Sequence, residues 1–139
     1  MSFLLDTNVL SELRKGSRCD SHVAAWVSAV DDAGLFLSVL VIGEIRQGIE
    51  AVRGRDARSA AALDAWLARI TAEYEDRILP VDRPVAEAWG RLNASTPLPA
   101  IDGLLAATAR VHGLTFVTRN VTDAARSGVP CLDPFQRRA

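Results

Sequence analysis

Four acidic side chains, far apart along the chain, occupy positions where they could do chemistry together. Asp6 ends the apolar run "FLL", and Asp123 follows the run "TFVT" after a short polar segment. Glu44 borders the apolar stripe of a helical pattern, and Asp102 lies in the first turn of a segment that is apolar or small nearly all round. Carboxylates gathered in one place repel one another unless a cation neutralises them. Ligation by oxygen alone favours Mg²⁺ or Mn²⁺ over zinc.

Polar side chains accompany two of these acids. Thr7 and Asn8 follow Asp6 directly, and Thr118 and Asn120 come just before Asp123. Each acid also has a purely structural interpretation: Asp6 or Thr7 could cap the first helix, Asp123 could cap a short last helix, Asp102 could complement a helix dipole, and Glu44 could be a rim residue. The order and context of the four acids favour a shared metal site.

The elements that must position these residues alternate along the sequence. Short apolar runs typical of strands occur at "SFLLD", "LFLS", "RILPV", "TFVT" and "PCLD", with helical patterns between them. This alternation predicts a three-layer α/β/α fold around a parallel sheet of about five strands. Residues 39–76 predict a helical hairpin after the second strand, with a break near Gly54, and Pro97 and Pro99 lead into a helix that starts near Ala100.

Parallel α/β sheets bind ligands outside the carboxyl ends of their strands, at the point where the strand order reverses. We predict that the first and fourth strands are neighbours at that reversal. Asp6 would then face Thr118, Asn120 and Asp123 across one crevice.

Composition limits the class of protein. The chain has 139 residues, which fits a single domain spanning 1–139, and its formal net charge of −1 neither indicates nor excludes a nucleic-acid partner. Cys19 and Cys131 lack the spacing of a zinc site or a disulfide framework. With no apolar stretch long enough for a membrane span and no signal-peptide pattern, we expect a cytoplasmic protein.

Two functions that do not use a metal site also remain open on the sequence. His22 and His112 could form a metal-independent acid-base pair that cleaves RNA through its 2′ hydroxyl. The domain could instead bind a partner without catalysis. A phosphatase of the haloacid dehalogenase type is disfavoured, because "DTN" lacks the second acid that such enzymes place two residues after the first.

Four segments together resemble the PIN domains, and within them the VapC and FitB-like toxins of bacterial toxin-antitoxin pairs. The segments are "LLDTNVLSEL", "SVLVIGEIRQGIE", "PLPAIDGLLAATARVHGLTFVTRN" and "SGVPCLDPF". The resemblance implies a metal-dependent ribonuclease whose acidic residues map onto Asp6, Glu44, Asp102 and Asp123, with Thr118 and Asn120 in support. The sequence departs from the family at Ala124, where an aromatic residue commonly follows the last acid.

A nuclease of this kind would hydrolyse RNA with water activated on Mg²⁺ or Mn²⁺, leaving a 5′ phosphate and a 3′ hydroxyl. Basic side chains that could attract RNA, or that could simply be paired on the surface, are Arg14, Lys15, Arg18, Arg46, Arg53, Arg55, Arg58 and Arg119. The resemblance further implies a cognate antitoxin that blocks the site. We also expect a homodimer, formed through the helices that follow the first two strands.

Overall fold

A computed structural model describes residues 1–136 of the chain. Five short strands alternate with seven α-helices in this part of the chain, as the sequence predicts. The strands are β1 (Phe3–Leu5), β2 (Leu35–Ser38), β3 (Ile78–Leu79), β4 (Thr115–Val117) and β5 (Cys131–Leu132). The helices are α1 (Thr7–Leu13), α2 (Ser21–Ala29), α3 (Val39–Arg53), α4 (Ala57–Glu73), α5 (Arg83–Ser95), α6 (Ala100–His112) and α7 (Val121–Ala125). The predicted domain extends three residues beyond the described ones.

All strand pairs are parallel, and the sheet order is β3-β2-β1-β4-β5. Leu4 in β1 is in register with Phe36 of β2 on one side and with Phe116 of β4 on the other. The strand order therefore reverses between β1 and β4, which confirms the predicted adjacency of the first and fourth strands. Immediately after β1, the backbone N–H of Asp6 donates to the carbonyl of Val117 at 2.9 Å, which fixes Asp6 at the carboxyl end of both strands.

The apolar strands form the centre of a three-layer core. Leu4, Leu5, Leu37 and Val117 are fully buried. The strand order, together with the rule that crossovers between parallel strands are right-handed, puts α1 to α4 on one face of the sheet and α5 to α7 on the other. The contacts of α1 with α3, of α3 with β2 and of α6 with β4 agree with this arrangement.

Local sequence explains where the site-bearing helices begin. The Ser38 side chain accepts from the N–H of Leu40, so α3 starts directly after β2, and α3 with α4 forms the predicted hairpin. Helix α6 starts at Ala100 as predicted, after Pro99, whose φ of −51° suits a helix entry. Gly113, with a φ of 65°, ends α6 in the left-handed conformation. Nowhere in residues 1–136 does a helix combine the length and apolarity needed to cross a membrane.

Candidate active site

Asp6 is a buried residue whose carboxylate accepts three hydrogen bonds and whose backbone N–H donates a fourth. Its side chain is the N-cap of α1, where Oδ1 accepts from the N–H of Thr7 at 2.8 Å. Its Oδ2 accepts from the Thr118 hydroxyl at 2.7 Å and from the Asn8 side-chain amide at 3.4 Å. The backbone bond to Val117 completes the set. The capping interpretation of Asp6 and its role in a site are therefore both compatible with one geometry.

Thr118 and Asn8 join the two loops at the sheet edge. The Thr118 oxygen accepts from the N–H of Asn120 at 3.1 Å and from the Asn8 amide at 3.4 Å while its own proton goes to Asp6. Asn8 Oδ1 accepts from the backbone N–H of Arg119 at 3.2 Å. The predicted supporting residues thus form one network that fixes the orientation of the Asp6 carboxylate.

Glu44 reaches the same region through Thr7. The Thr7 hydroxyl donates to Glu44 Oε1 at 2.6 Å, which links α1 to α3. Glu44 is half-buried and lies next to the buried stripe of Val41, Ile45 and Ile49, as the sequence predicts. Its charge is close enough to raise the pKa of Asp6.

Asp102 and Asp123 complete an acidic pocket with Asp6. The pocket is lined by side chains from α6, α7 and the carboxyl ends of β1 and β4, namely Asp6, Leu98, Asp102, Phe116, Thr118, Asn120, Asp123 and Ala124. Asp102 and Asp123 are both exposed, whereas Asp6 is 9% exposed. The structure therefore brings three of the four predicted acids into one pocket, with Glu44 attached to it through Thr7.

The electrostatics of the pocket favour a bound cation. Burial raises the pKa of Asp6 above its ordinary value, and the charge of Glu44 adds to this effect, although the hydrogen bonds from Thr118 and Thr7 oppose it. Partial burial also raises the pKa of Asp102, together with the charges of Asp6 and Asp123. Ionised carboxylates are thus costly here, and a positive charge would relieve that cost.

The donor set fits a hard divalent ion, because every polar group that lines the pocket offers oxygen and no thiol or imidazole is among them. As placed, residues 1–136 contain no group of three or more His, Cys, Asp or Glu side chains close enough to hold one ion. Asp102 and Asp123 are exposed, so a change of rotamer is open to both. Asp6, which its hydrogen bonds already hold in place, would be the fixed ligand of such a set.

The predicted RNA-binding side chains have different surroundings. Arg46 pairs with Glu50 and Asp64, and Lys15 pairs with Glu12 at 3.0 Å. The Arg14 guanidinium lies over the Trp66 ring at 5.9 Å, and that of Arg119 lies over the Phe135 ring at 4.2 Å. Of the other basic candidates, Arg53 shares Glu50 and Asp64 with Arg46, Arg55 donates to the carbonyl of Ala51, and Arg18 and Arg58 are exposed.

The two histidines lie apart from the acids and from each other. His22 lines an apolar cavity between α2 and the β1-β4-β5 part of the sheet, beside Trp26 and Cys131. His112 lines a different cavity, near the amino ends of the strands with Phe36 and Leu79. This separation gives the metal-independent acid-base pair no geometric support.

Sequence reasoning missed several residues of the site. The apolar wall of Leu98 and Phe116 and the contact between Arg119 and Phe135 were not predicted. Leu98 stands between the two prolines that lead into α6, and Phe135 closes the "DPF" segment, so both had a local signal. Their partners are distant in sequence, and no local pattern indicates them.

Known proteins match this chain over most of its length. The PIN domain family model matches residues 3–123. Toxin FitB of Neisseria gonorrhoeae is 30% identical over 138 residues, covering 95% of this chain and 97% of FitB. VapC ribonuclease Y4jK of Sinorhizobium fredii is 29% identical, covering 96% and 97% of the two chains.

A solved structure shows the same fold. The crystal structure of FitAcB from Neisseria gonorrhoeae superposes with a TM-score of 0.88 at 29% identity, over 97% of this chain and 99% of the other. The residues that the PIN domain model matches include β1 with Asp6, α3 with Glu44, α6 with Asp102 and the start of α7 with Asp123. The chain therefore belongs to the PIN domain family.

Proposed function

We propose that this protein is a metal-dependent endoribonuclease and the toxin of a toxin-antitoxin pair. The observation that carries the proposal is the buried Asp6 carboxylate, which Thr118, Thr7 and Asn8 hold at the end of β1, in one pocket with Asp102 and Asp123. Relatives named as a ribonuclease and as a toxin, matched over nearly their whole length, support the same activity.

Each acid has a distinct part in the proposed site. Asp6 and Asp102 would hold Mg²⁺ or Mn²⁺, with Asp123 as a further ligand from α7 and Glu44 as a ligand or a group that orients water. The bound ion would lower the pKa of the attacking water and neutralise charge on the phosphate. Thr7 keeps Glu44 in place, and Thr118 keeps Asp6 in place.

A nuclease that acts on RNA in its own cytoplasm needs an inhibitor, so we propose a cognate antitoxin as a partner. The acidic pocket suits a segment with basic or apolar side chains, which would compete with metal and RNA for the same carboxylates. A relative of almost the same length is named a toxin, which supports this partner.

The test is cleavage of an end-labelled mixed RNA by the purified chain with Mg²⁺, Mn²⁺ or EDTA. We expect metal-dependent cutting that leaves 5′ phosphates, and Asp6→Asn should lower it by about 100-fold or more. Asparagine keeps the shape of the side chain and an acceptor for the N-cap of α1, so the circular dichroism spectrum should match that of the wild type. Asp76→Asn, on a side chain that is 90% exposed, is the matched control and should cleave normally.

Three results would contradict the proposal. Full activity of Asp6→Asn would remove Asp6 from the reaction. Cutting that resists EDTA and leaves cyclic phosphates would point to the histidines instead. A folded wild-type protein that cuts nothing with either metal would favour a binding domain without catalysis.

A further inference from the structure

The Arg119 side chain stacks on an aromatic ring from the end of the described chain. The guanidinium carbon is 4.2 Å from the centre of the Phe135 ring, well inside the range of about 6 Å for an attraction between a cation and a ring face. Phe135 is itself fixed, because its N–H donates to Asp133 Oδ1 at 2.8 Å and it packs against the core. The ring is therefore a rigid platform for the guanidinium.

The backbone of Arg119 is fixed to the acidic pocket. Its N–H donates to the Asn8 side chain, which also binds Asp6. Thr118 and Asn120, on either side of Arg119, both line the pocket. Arg119 is therefore held beside the site at two points, through its backbone by Asn8 and through its guanidinium by Phe135.

Within residues 1–136, this arrangement leaves the hydrogen-bond donors of the Arg119 side chain available. Arg46 and Arg53 direct their guanidinium N–H groups to Glu50 and Asp64. By contrast, the Arg119 side chain forms no ion pair with any carboxylate of residues 1–136. A contact with a ring face uses no hydrogen-bond acceptor, so the N–H groups of a guanidinium in this position can still bind a phosphate.

We propose that Phe135 is a positioning residue of the nuclease: its ring holds the Arg119 guanidinium beside the acidic pocket, where Arg119 binds a phosphate of the RNA backbone. The inference rests on the proposed ribonuclease function and adds a role for the "DPF" segment. A guanidinium ordered before RNA arrives loses less entropy on binding, so the ring acts on substrate affinity through Arg119.

The experiment compares RNA cleavage kinetics of Arg119→Ala, Phe135→Leu and the double variant with those of the wild type. Arg119→Ala should raise KM, and Phe135→Leu should raise it by about three- to tenfold, with kcat almost unchanged in both. In the Arg119→Ala background, Phe135→Leu should have no further effect on KM. Phe135→Tyr keeps a ring face and should restore the wild-type KM.

A second measurement separates phosphate binding from a packing effect. Binding of a labelled single-stranded RNA to the wild type in EDTA should weaken with salt, and Arg119→Ala should reduce the slope of log K against log salt concentration by about 0.7. Phe135→Leu should reduce the slope part of the way. An unchanged slope in Arg119→Ala would overturn the assignment of a phosphate to Arg119.

The outcomes distinguish this role from the proposed function. If the wild type cleaves RNA but the effects of Phe135→Leu and Arg119→Ala on KM multiply, the ring acts without the guanidinium and the positioning role is wrong. If the wild type neither cleaves nor binds RNA, the ribonuclease proposal fails and the positioning role fails with it. Should Phe135→Leu not fold, Phe135→Met takes its place, since it fills a similar volume without a ring: a raised KM supports the positioning role, and a wild-type KM overturns it.

Discussion

At the scale of single residues, the candidate site depends on how one buried acid, Asp6, is oriented. Burial alone would favour protonated Asp6, and the hydrogen bonds from Thr118 and Thr7 act against this. Thr118 is only 1% exposed, so its hydroxyl is shielded from bulk water. Its bond to Asp6 and the bond from Asn120 leave the carboxylate with a single orientation.

Replacing Thr118 by valine tests this support. Thr118→Val keeps the shape but removes the donor to Asp6, so we expect the Mg²⁺ concentration needed for half-maximal RNA cleavage to rise by about 10- to 100-fold. Thr118→Ser keeps the hydroxyl and should stay close to the wild type. A valine variant with an unchanged metal requirement would show that the hydroxyl does not orient Asp6.

At the scale of elements, Glu12 joins the end of α1 to the start of α2. Its carboxylate accepts from the N–H of Asp20 at 2.9 Å and from Lys15 at 3.0 Å. The Asp20 N–H and Lys15 together hold the pKa of Glu12 below its ordinary value of 4.5. The charged form is therefore favoured by folding, and it fixes the far end of the helix that Asp6 begins.

This linkage predicts a pH dependence of stability. A carboxyl group whose pKa is lower in the folded state stabilises the fold at pH values above its unfolded pKa. This stabilisation is lost as the pH falls through the folded pKa. Glu12→Gln should therefore melt below the wild type at pH 7, and the difference should shrink as pH drops under 4.5. Thermal melts followed by circular dichroism measure it, with Glu73→Gln on the exposed side of α4 as a control. A constant difference across pH would contradict the charge argument.

The packing of α5 on α6 depends on a glycine beside Asp102. A Cβ at Gly103 would lie 3.0 Å from Trp89 Nε1 and 3.1 Å from its Cδ1, whereas one at Gly90 on α5 would meet nothing within 4 Å. Gly90→Ala should stabilise the protein by roughly 1 kcal/mol through helix propensity. Gly103→Ala should be less stable than Gly90→Ala by about 1–3 kcal/mol, because Trp89 must move. Equal denaturant midpoints for the two variants would mean that the interface adapts.

At the scale of the whole molecule, the acidic pocket exists because the strand order reverses between β1 and β4. Chain segments after β1 and β2 build one face, and those after β3 build the other, so the two sets of loops meet only at that reversal. Asp6 comes from one side of it, and Asp102 and Asp123 come from the other. The outer surface of the α3-α4 hairpin remains exposed, with Val39 at 41%.

We expect this hairpin surface to form a homodimer, as predicted for the helices after the first two strands. A chain of 15.0 kDa should then give a mass of about 30 kDa by light scattering. Val39→Asp should shift the mass toward the monomer, while Val111→Asp, equally exposed at 40% on α6, should not. A monomeric wild type at working concentration would exclude the dimer, and an effect of Val111→Asp alone would move the interface to the other face.

The sequence by itself determined what depends on neighbours along the chain. Apolar runs set the five strands, Asp6 marks the end of β1, and Pro99 and Gly113 bound α6, because strand and helix limits follow from local side chains and backbone preferences. The resemblance of the four quoted segments to the PIN domains predicts the roles of Asp6, Glu44, Asp102 and Asp123, and these roles stay a prediction.

Only the tertiary structure decided which of these residues meet, because strand order and crossover handedness join segments about a hundred residues apart. The bond from Thr118 to Asp6 and the pairing of Arg46 with Asp64 could not be deduced from local sequence. The same holds for the stacking of Arg119 on Phe135, since a side chain's charge is visible in the sequence but its partner is set by the fold.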